Sequence, residues 1–100
     1  MKDIISGLNK AFDSRVRLGI MSVLSVNESV DFNTIKELLN VTDGNLASHL
    51  KALEKENIIE VKKQFLGRKP NTSYMITPLG GAKLFKEHID ALEKLINPLS

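Results

Sequence analysis

A mainly α domain carrying a small β-hairpin is predicted by three observations, all within residues 33–76. The run NTIKELLNVTDGNLASHLKALEKENII holds two helical apolar periods joined by a very short turn. Ile35, Leu38 and Leu39 share one face of the first, and Leu46, Leu50 and Leu53 form one stripe of the second. Directly behind them come a strand-like IIEVKKQFL, a Gly-Arg-Lys-Pro-Asn tip and a second strand-like TSYMI. Two short helices with a tight joint make a helix-turn-helix, and a basic hairpin after the second helix makes a wing. The expected fold is therefore α+β, a winged helix-turn-helix in the order α-α-β-α-α-β-β-α.

Each element has its own signal. Ile4, Ile5, Leu8, Ala11 and Phe12 follow the spacing of a helical stripe, so a first helix is expected over about residues 1–12. Asp13 or Ser14 can cap a second helix with the stripe Val16, Ile20, Val23 and Leu24. Asn27 and Glu28 mark a loop. Val30, Asp31 and Phe32 are too few for an independent strand, but can add a third strand to the wing. Asn33 is the expected cap of the next helix, and Thr42 or Asp43 of the one after. The hairpin strands are expected at about 59–66 and 72–76. Thr77 then caps a last helix with Pro78 at its first position, running to about Asn97.

That last helix carries one apolar row, Ala82, Phe85, Ile89, Leu92 and Ile96, and a second, Leu84, Ala91 and Leu95. A lone helix on a small domain needs one row. Two rows, with the equally apolar first helix, point to an isologous homodimer interface: Ile4, Ile5 and Leu8 with Phe85, Ile89, Leu92, Leu95 and Ile96. The competing arrangement packs the two terminal helices together within one chain.

The 100 residues fit one domain. Lys and Arg number 14 against 12 Asp and Glu, a net charge of +2, so the distribution of charge matters more than its sum. Cysteine is absent, which excludes disulfides, thiolate metal sites and a cysteine nucleophile. With neither a signal-peptide pattern nor a membrane-length apolar run, a soluble cytoplasmic protein is expected. No nucleophile–base pair, phosphate-binding glycine loop or paired metal motif points to an enzyme or a cofactor. Gly80 and Gly81 read as close packing.

The candidate functional residues follow from the wheel of the second motif helix. With Leu46, Leu50 and Leu53 inward, Gly44, Ser48, Lys51 and Lys55 point outward, and Asn45 and Ala47 lie on the flanks. Near the helix start this surface is small and polar, as a helix in a DNA major groove requires. Asn45 can pair bidentately with adenine, Ser48 can donate or accept, and Lys51 can reach a base edge or phosphate. The competing view is an ordinary solvated helix face. Asp43 faces the region that phosphates approach. His49 is either a partly buried neighbour of the wing or a DNA contact. On the wing, Lys62 and Lys63 point to opposite faces, so at most one meets DNA, and Lys63 is the candidate. Arg68 and Lys69 at the tip can reach phosphate or an adjacent minor groove. Edge-strand lysines also block pairing with other chains, which explains Lys62 or Lys63 but not the Arg-Lys pair. Arg15 and Arg17 are weaker phosphate candidates that can instead pair with Asp13.

The run TDGNLASHLKALEKENIIEVKKQFLGRKPNTSYMITPLGG resembles small stand-alone winged-helix DNA-binding proteins of bacteria and archaea related to the MarR regulators. Its Ser-His-Leu-Lys-Ala-Leu segment is also similar to the recognition helix of ArsR-type repressors. The resemblance implies a homodimeric transcriptional regulator of double-stranded DNA, with recognition helix 43–56 and wing 64–71. Glu56-Asn57 departs from the pattern, which has a helix-ending Gly; Asn also adopts the left-handed conformation. Two other functions compete. A protein-interaction adaptor needs an exposed apolar patch, and Phe65 and Leu66 beside the tip are its only hint. A metal sensor would draw on Glu87, His88 and Asp90, a set poor in soft or imidazole ligands.

Overall fold

The computed structural model describes residues 5, 7–78 and 81–97. A 3-10 turn at Lys10–Phe12 leads into α1 (Arg15–Ser25), β1 (Val30–Asp31), α2 (Phe32–Leu39), α3 (Asp43–Lys55), β2 (Ile59–Leu66), β3 (Lys69–Ile76) and α4 (Gly81–Ile96). The three strands form an antiparallel sheet in the order β1-β3-β2. The helix-turn-helix, the hairpin wing and the short third strand are thus all present.

Side chains set the helix starts. Ser14 caps α1 by accepting from the Val16 and Arg17 amides. Thr42, not Asp43, caps α3, accepting from the Asn45 amide at 3.2 Å. Asn33 is not a cap: Asp31 takes that place, its carboxylate bound by the Thr34 hydroxyl, and Phe32 is already helical. The third strand is shortened to two residues in consequence.

The end of α3 is a Schellman motif. Asn57 has φ 59°, its amide donates to Glu54 O, and the Ile58 amide donates to Leu53 O. Leu53 and Ile58, the apolar pair that accompanies this motif, are both buried. Asn57 therefore takes the left-handed position where the family resemblance implies a helix-ending Gly.

The core lies between the helices and the inner sheet face. Ile20, Met21, Leu24, Ile35, Leu46, Leu50, Leu53, Ile58 and Ile59 are all buried. Each such side chain stabilises the fold by roughly 1.5–3 kcal/mol. On α1, α2 and α3 the expected stripes face the core with two exceptions. Met21 is fully buried on α1, and Leu38 is 62 % exposed on α2, a helix of 8 residues that buries Ile35 alone.

The wing is tighter than expected. β3 begins at Lys69 rather than at about residue 72, and Leu66 pairs with Lys69. Only Gly67 and Arg68 remain as the turn, and Gly67 carries φ 68°. A positive φ at the first central residue alone is the pattern of a type II′ turn, for which Gly is the fitting residue. Pro70 is accommodated because β1 pairs only with Ser73 and Tyr74, leaving β3 with one neighbour at that point.

The termini differ most from expectation. A continuous helix to Phe12 is not formed: Leu8 and Asn9 are non-helical, and Asn9 caps the 3-10 turn by accepting from the Ala11 amide at 2.9 Å. Residues 1–4 and 6 of the expected first helix, Ile4 among them, lie outside the described residues. Phe12 packs edge-on against Phe85 (ring centroids 5.5 Å) and His88 (5.1 Å) of α4. His88 also accepts from the Asn9 amide at 3.1 Å, so it faces inward and not toward a metal with Glu87 and Asp90. The terminal segments thus pack on one another within the chain. Phe85, expected at a dimer interface, is buried there. Ile89, Leu95 and Ile96 are exposed, Leu92 and Leu8 are half-buried, and Ile5 is exposed.

At the start of α4, Thr77 accepts from the Gly81 amide at 2.7 Å and donates to Asn57 O at 2.8 Å. Its hydroxyl thus satisfies the first amide of α4, but the helix begins at Gly81, not at Pro78 as expected, so Thr77 does not adjoin it; Gly80 lies outside the described residues. A Cβ on Gly81 would stand 2.0 Å from Ile58 O, so only glycine permits this approach of α4 to the end of α3. Among the described residues no helix is long and apolar enough to cross a membrane.

Candidate nucleic-acid interface

The outward face of α3 is as the wheel places it. Leu46, Leu50 and Leu53 are fully buried, while Asp43, Gly44, Asn45, Ala47, Ser48, Lys51 and Lys55 are all exposed. Nothing lies within 4 Å of the position a Gly44 Cβ would take, so the first turn is open to close approach. The Thr42 cap leaves the Asn45 side chain uncommitted to the helix end, because only its backbone amide is used. Asp43 is not the cap but the first helical residue. It pairs with Lys36 of α2 at 2.6 Å, tying the two motif helices across the turn. Both partners are exposed, so the pair contributes at most about 1 kcal/mol. The helix dipole favours an acidic side chain at this position.

His49 has a partner on α1 that the sequence reading did not name. It is half-buried, and its Nδ1 accepts from the Arg17 Nε–H at 3.0 Å. Burial first, and then the Arg17 charge, hold its pKa below the ordinary value of 6.5. His49 therefore fixes α3 to α1 and is occupied within the chain. Arg17 is drawn to His49, not to Asp13, while Arg15 stays exposed.

The wing stands beside this helix. Ala47, Leu50, Lys51 and Glu54 of α3, with Val61 and Lys63 of β2 and Tyr74 of β3, line a depression of about 280 Å³. Lys63 thus faces α3 and shares a concavity with Lys51, and strand alternation turns Lys62 to the opposite face. Arg68 and Lys69 are exposed at the end of the hairpin, and no acidic residue occurs from 61 to 77. The concavity holds two lysines and one carboxylate, and the tip is purely cationic.

Tyr74 and Glu54 belong to this region and were not singled out by the sequence. Burial, followed by the Glu54 charge, pushes the Tyr74 pKa above 10.0, so its hydroxyl remains a donor at neutral pH. No local signal marks either residue, since both acquire their surroundings only when the hairpin folds back on α3. Phe65, which the sequence marked only as a hint of an adaptor, is 72 % exposed on the wing.

Comparison with known proteins follows the same outline. A family model described as "Winged helix DNA-binding domain" matches residues 16–96. An uncharacterised protein of Methanocaldococcus jannaschii is 42 % identical over 80 residues, covering 80 % of this chain and 86 % of that one. A transcriptional regulator homologue from Pyrococcus horikoshii OT3 superposes with a TM-score of 0.80 at 29 % identity, over 97 % of this chain and 93 % of that one. HlyU from Vibrio cholerae N16961 shares the fold, with a TM-score of 0.67 at 17 % identity over 89 % and 86 % of the two chains.

Proposed function

Because the chain belongs to the winged helix DNA-binding domain family, we propose that it is a transcriptional regulator that binds duplex DNA as a homodimer. In this reading each protomer lays α3 in a major groove. Asn45 and Ser48 read base edges there, with Gly44 and Ala47 allowing close approach, while Lys51 and Lys55 hold phosphates. Asp43 lies at the groove entrance and keeps the helix start aligned through Lys36. Lys63 supports the helix side of the wing, and Arg68 and Lys69 meet flanking phosphates or the minor groove. His49 acts through Arg17, as a positioning residue.

The observation that carries this reading is the pairing of two surfaces: a small, polar, unobstructed first turn of α3 and a cationic hairpin on the same side. A regulatory role is supported by the likeness to the Pyrococcus horikoshii regulator homologue. The homodimer is supported by apolar side chains left at the surface of the terminal region, Ile89, Leu95 and Ile96 on α4 and Ile5 before the 3-10 turn.

The test is a fluorescence anisotropy titration of labelled random-sequence duplex at about 50 and about 200 mM salt. Binding through several phosphates is expected to weaken by about 10³-fold or more between the two if six or more contacts form. An adaptor that bridges other proteins would show no duplex affinity at the lower salt, and that result removes the DNA-binding reading.

A further inference from the structure

We infer that Phe65 is an apolar DNA contact, entering the minor groove beside the major-groove segment taken by α3. The inference rests on the DNA-binding reading above and adds to it a non-electrostatic contact. Ile59 is buried on β2, and Val61 and Lys63 line the depression against α3, so strand alternation places Phe65 next on that same face. It stands directly opposite Pro70. β1 reaches only Ser73 and Tyr74, so here the wing is a bare two-stranded ribbon projecting past the sheet. Phe65 is 72 % exposed and Pro70 is exposed, so an apolar pair sits unprotected near the wing tip.

The charges around this pair select its occupant. Lys63 lies two residues inward on the same face, Arg68 and Lys69 lie just beyond, and no acidic residue occurs from 61 to 77. A partner that suits an exposed aromatic ring encircled by cations is anionic at its rim and apolar within. The minor groove has that chemistry: two phosphate rows flank sugar and base walls. Phe and Pro are also among the side chains that act as wedges between base steps. A protein partner would have to supply an apolar pocket inside an acidic ring, and nothing on the wing calls for that in preference to DNA.

The probe is a duplex selected by the wild-type protein from a random pool, titrated with wild type, Phe65→Ala and Phe65→Leu. Phe65→Ala is expected to bind about tenfold more weakly, as truncation of an anchoring aromatic does. Its slope of log affinity against log salt stays that of wild type, because no counterion-releasing charge is lost. Its thermal midpoint is unchanged, since the ring packs on nothing in the core, and Phe65→Leu retains part of the affinity. Netropsin, a minor-groove ligand, weakens wild type more than Phe65→Ala. If wild type selects no duplex, the DNA-binding reading itself falls and takes this inference with it. If wild type binds and Phe65→Ala binds equally well, the inference falls alone. A shallower salt slope in Phe65→Ala overturns it too, because the ring would then only hold the cations in place. So does unchanged DNA affinity with a change in mass by light scattering, which assigns the ring to a second copy.

Discussion

At the first turn of α3, base reading and phosphate holding separate experimentally. Asn45→Ala is expected to cost roughly 1–3 kcal/mol on the preferred duplex and little on random DNA. Equal losses on both would assign Asn45 to the backbone. His49 gives a pH test. Its folded pKa lies below the unfolded 6.5, so between those values the unfolded chain binds more protons. The stability from burying neutral His49 beside Arg17 is complete above about pH 6.5 and is lost as pH falls through the folded value. His49→Gln should therefore show a smaller drop in thermal midpoint than wild type on going from about pH 7 to about pH 5.5. Identical drops in the two proteins would remove His49 as a titrating link. The outward set on α3 was legible in the sequence because a helix of 13 residues with three buried leucines fixes its own rotation. The partner of His49 was not, because it lies 32 residues earlier.

The elements are set by a few backbone positions. Gly81→Ala places a methyl group against Ile58 O, forcing α4 away from the end of α3. A destabilisation of about 2–3 kcal/mol, or about 10 °C or more in thermal midpoint, is expected. A variant melting within about 2 °C of wild type would show that α4 can shift without loss. The helix-turn-helix and wing were readable because apolar period, caps and turn residues agree there. The exceptions have local causes. The Leu66–Lys69 pairing closes the hairpin with two residues, where the Pro70-Asn71 signal had suggested a longer tip. Asp31 displaces Asn33 as cap because β1 hands the chain directly to α2. At the N-terminus, Asn9 and the Phe12 contacts with α4 override a helical stripe that looked continuous.

The whole molecule is elongated, 57 × 27 × 21 Å. Each apolar row of α4 is split: Phe85 of the first and Ala91 of the second are buried on their own chain, while Ile89 and Ile96 of the first and Leu95 of the second remain outside. The sequence showed that two rows exist, but periodicity alone cannot say which side chains of a row meet which surface. Light scattering at micromolar concentration is expected to give a dimer for wild type and a monomer for Ile89→Glu/Ile96→Glu with its thermal unfolding still cooperative. A monomeric wild type sinks the dimer. In that dimer Arg68 and Lys69 supply at most about four phosphate contacts, so replacing both by Ala should flatten the salt slope by up to about 3.6. An unchanged slope would leave α3 to carry the electrostatics. The most direct measurement is guanine-N7 methylation interference on the selected duplex, since that atom lies on the major-groove floor. Two interfering clusters about 10 base pairs apart, one helical turn, are expected for paired α3 helices. Interference that is absent, or confined to a single cluster, would contradict a homodimer reading two major grooves.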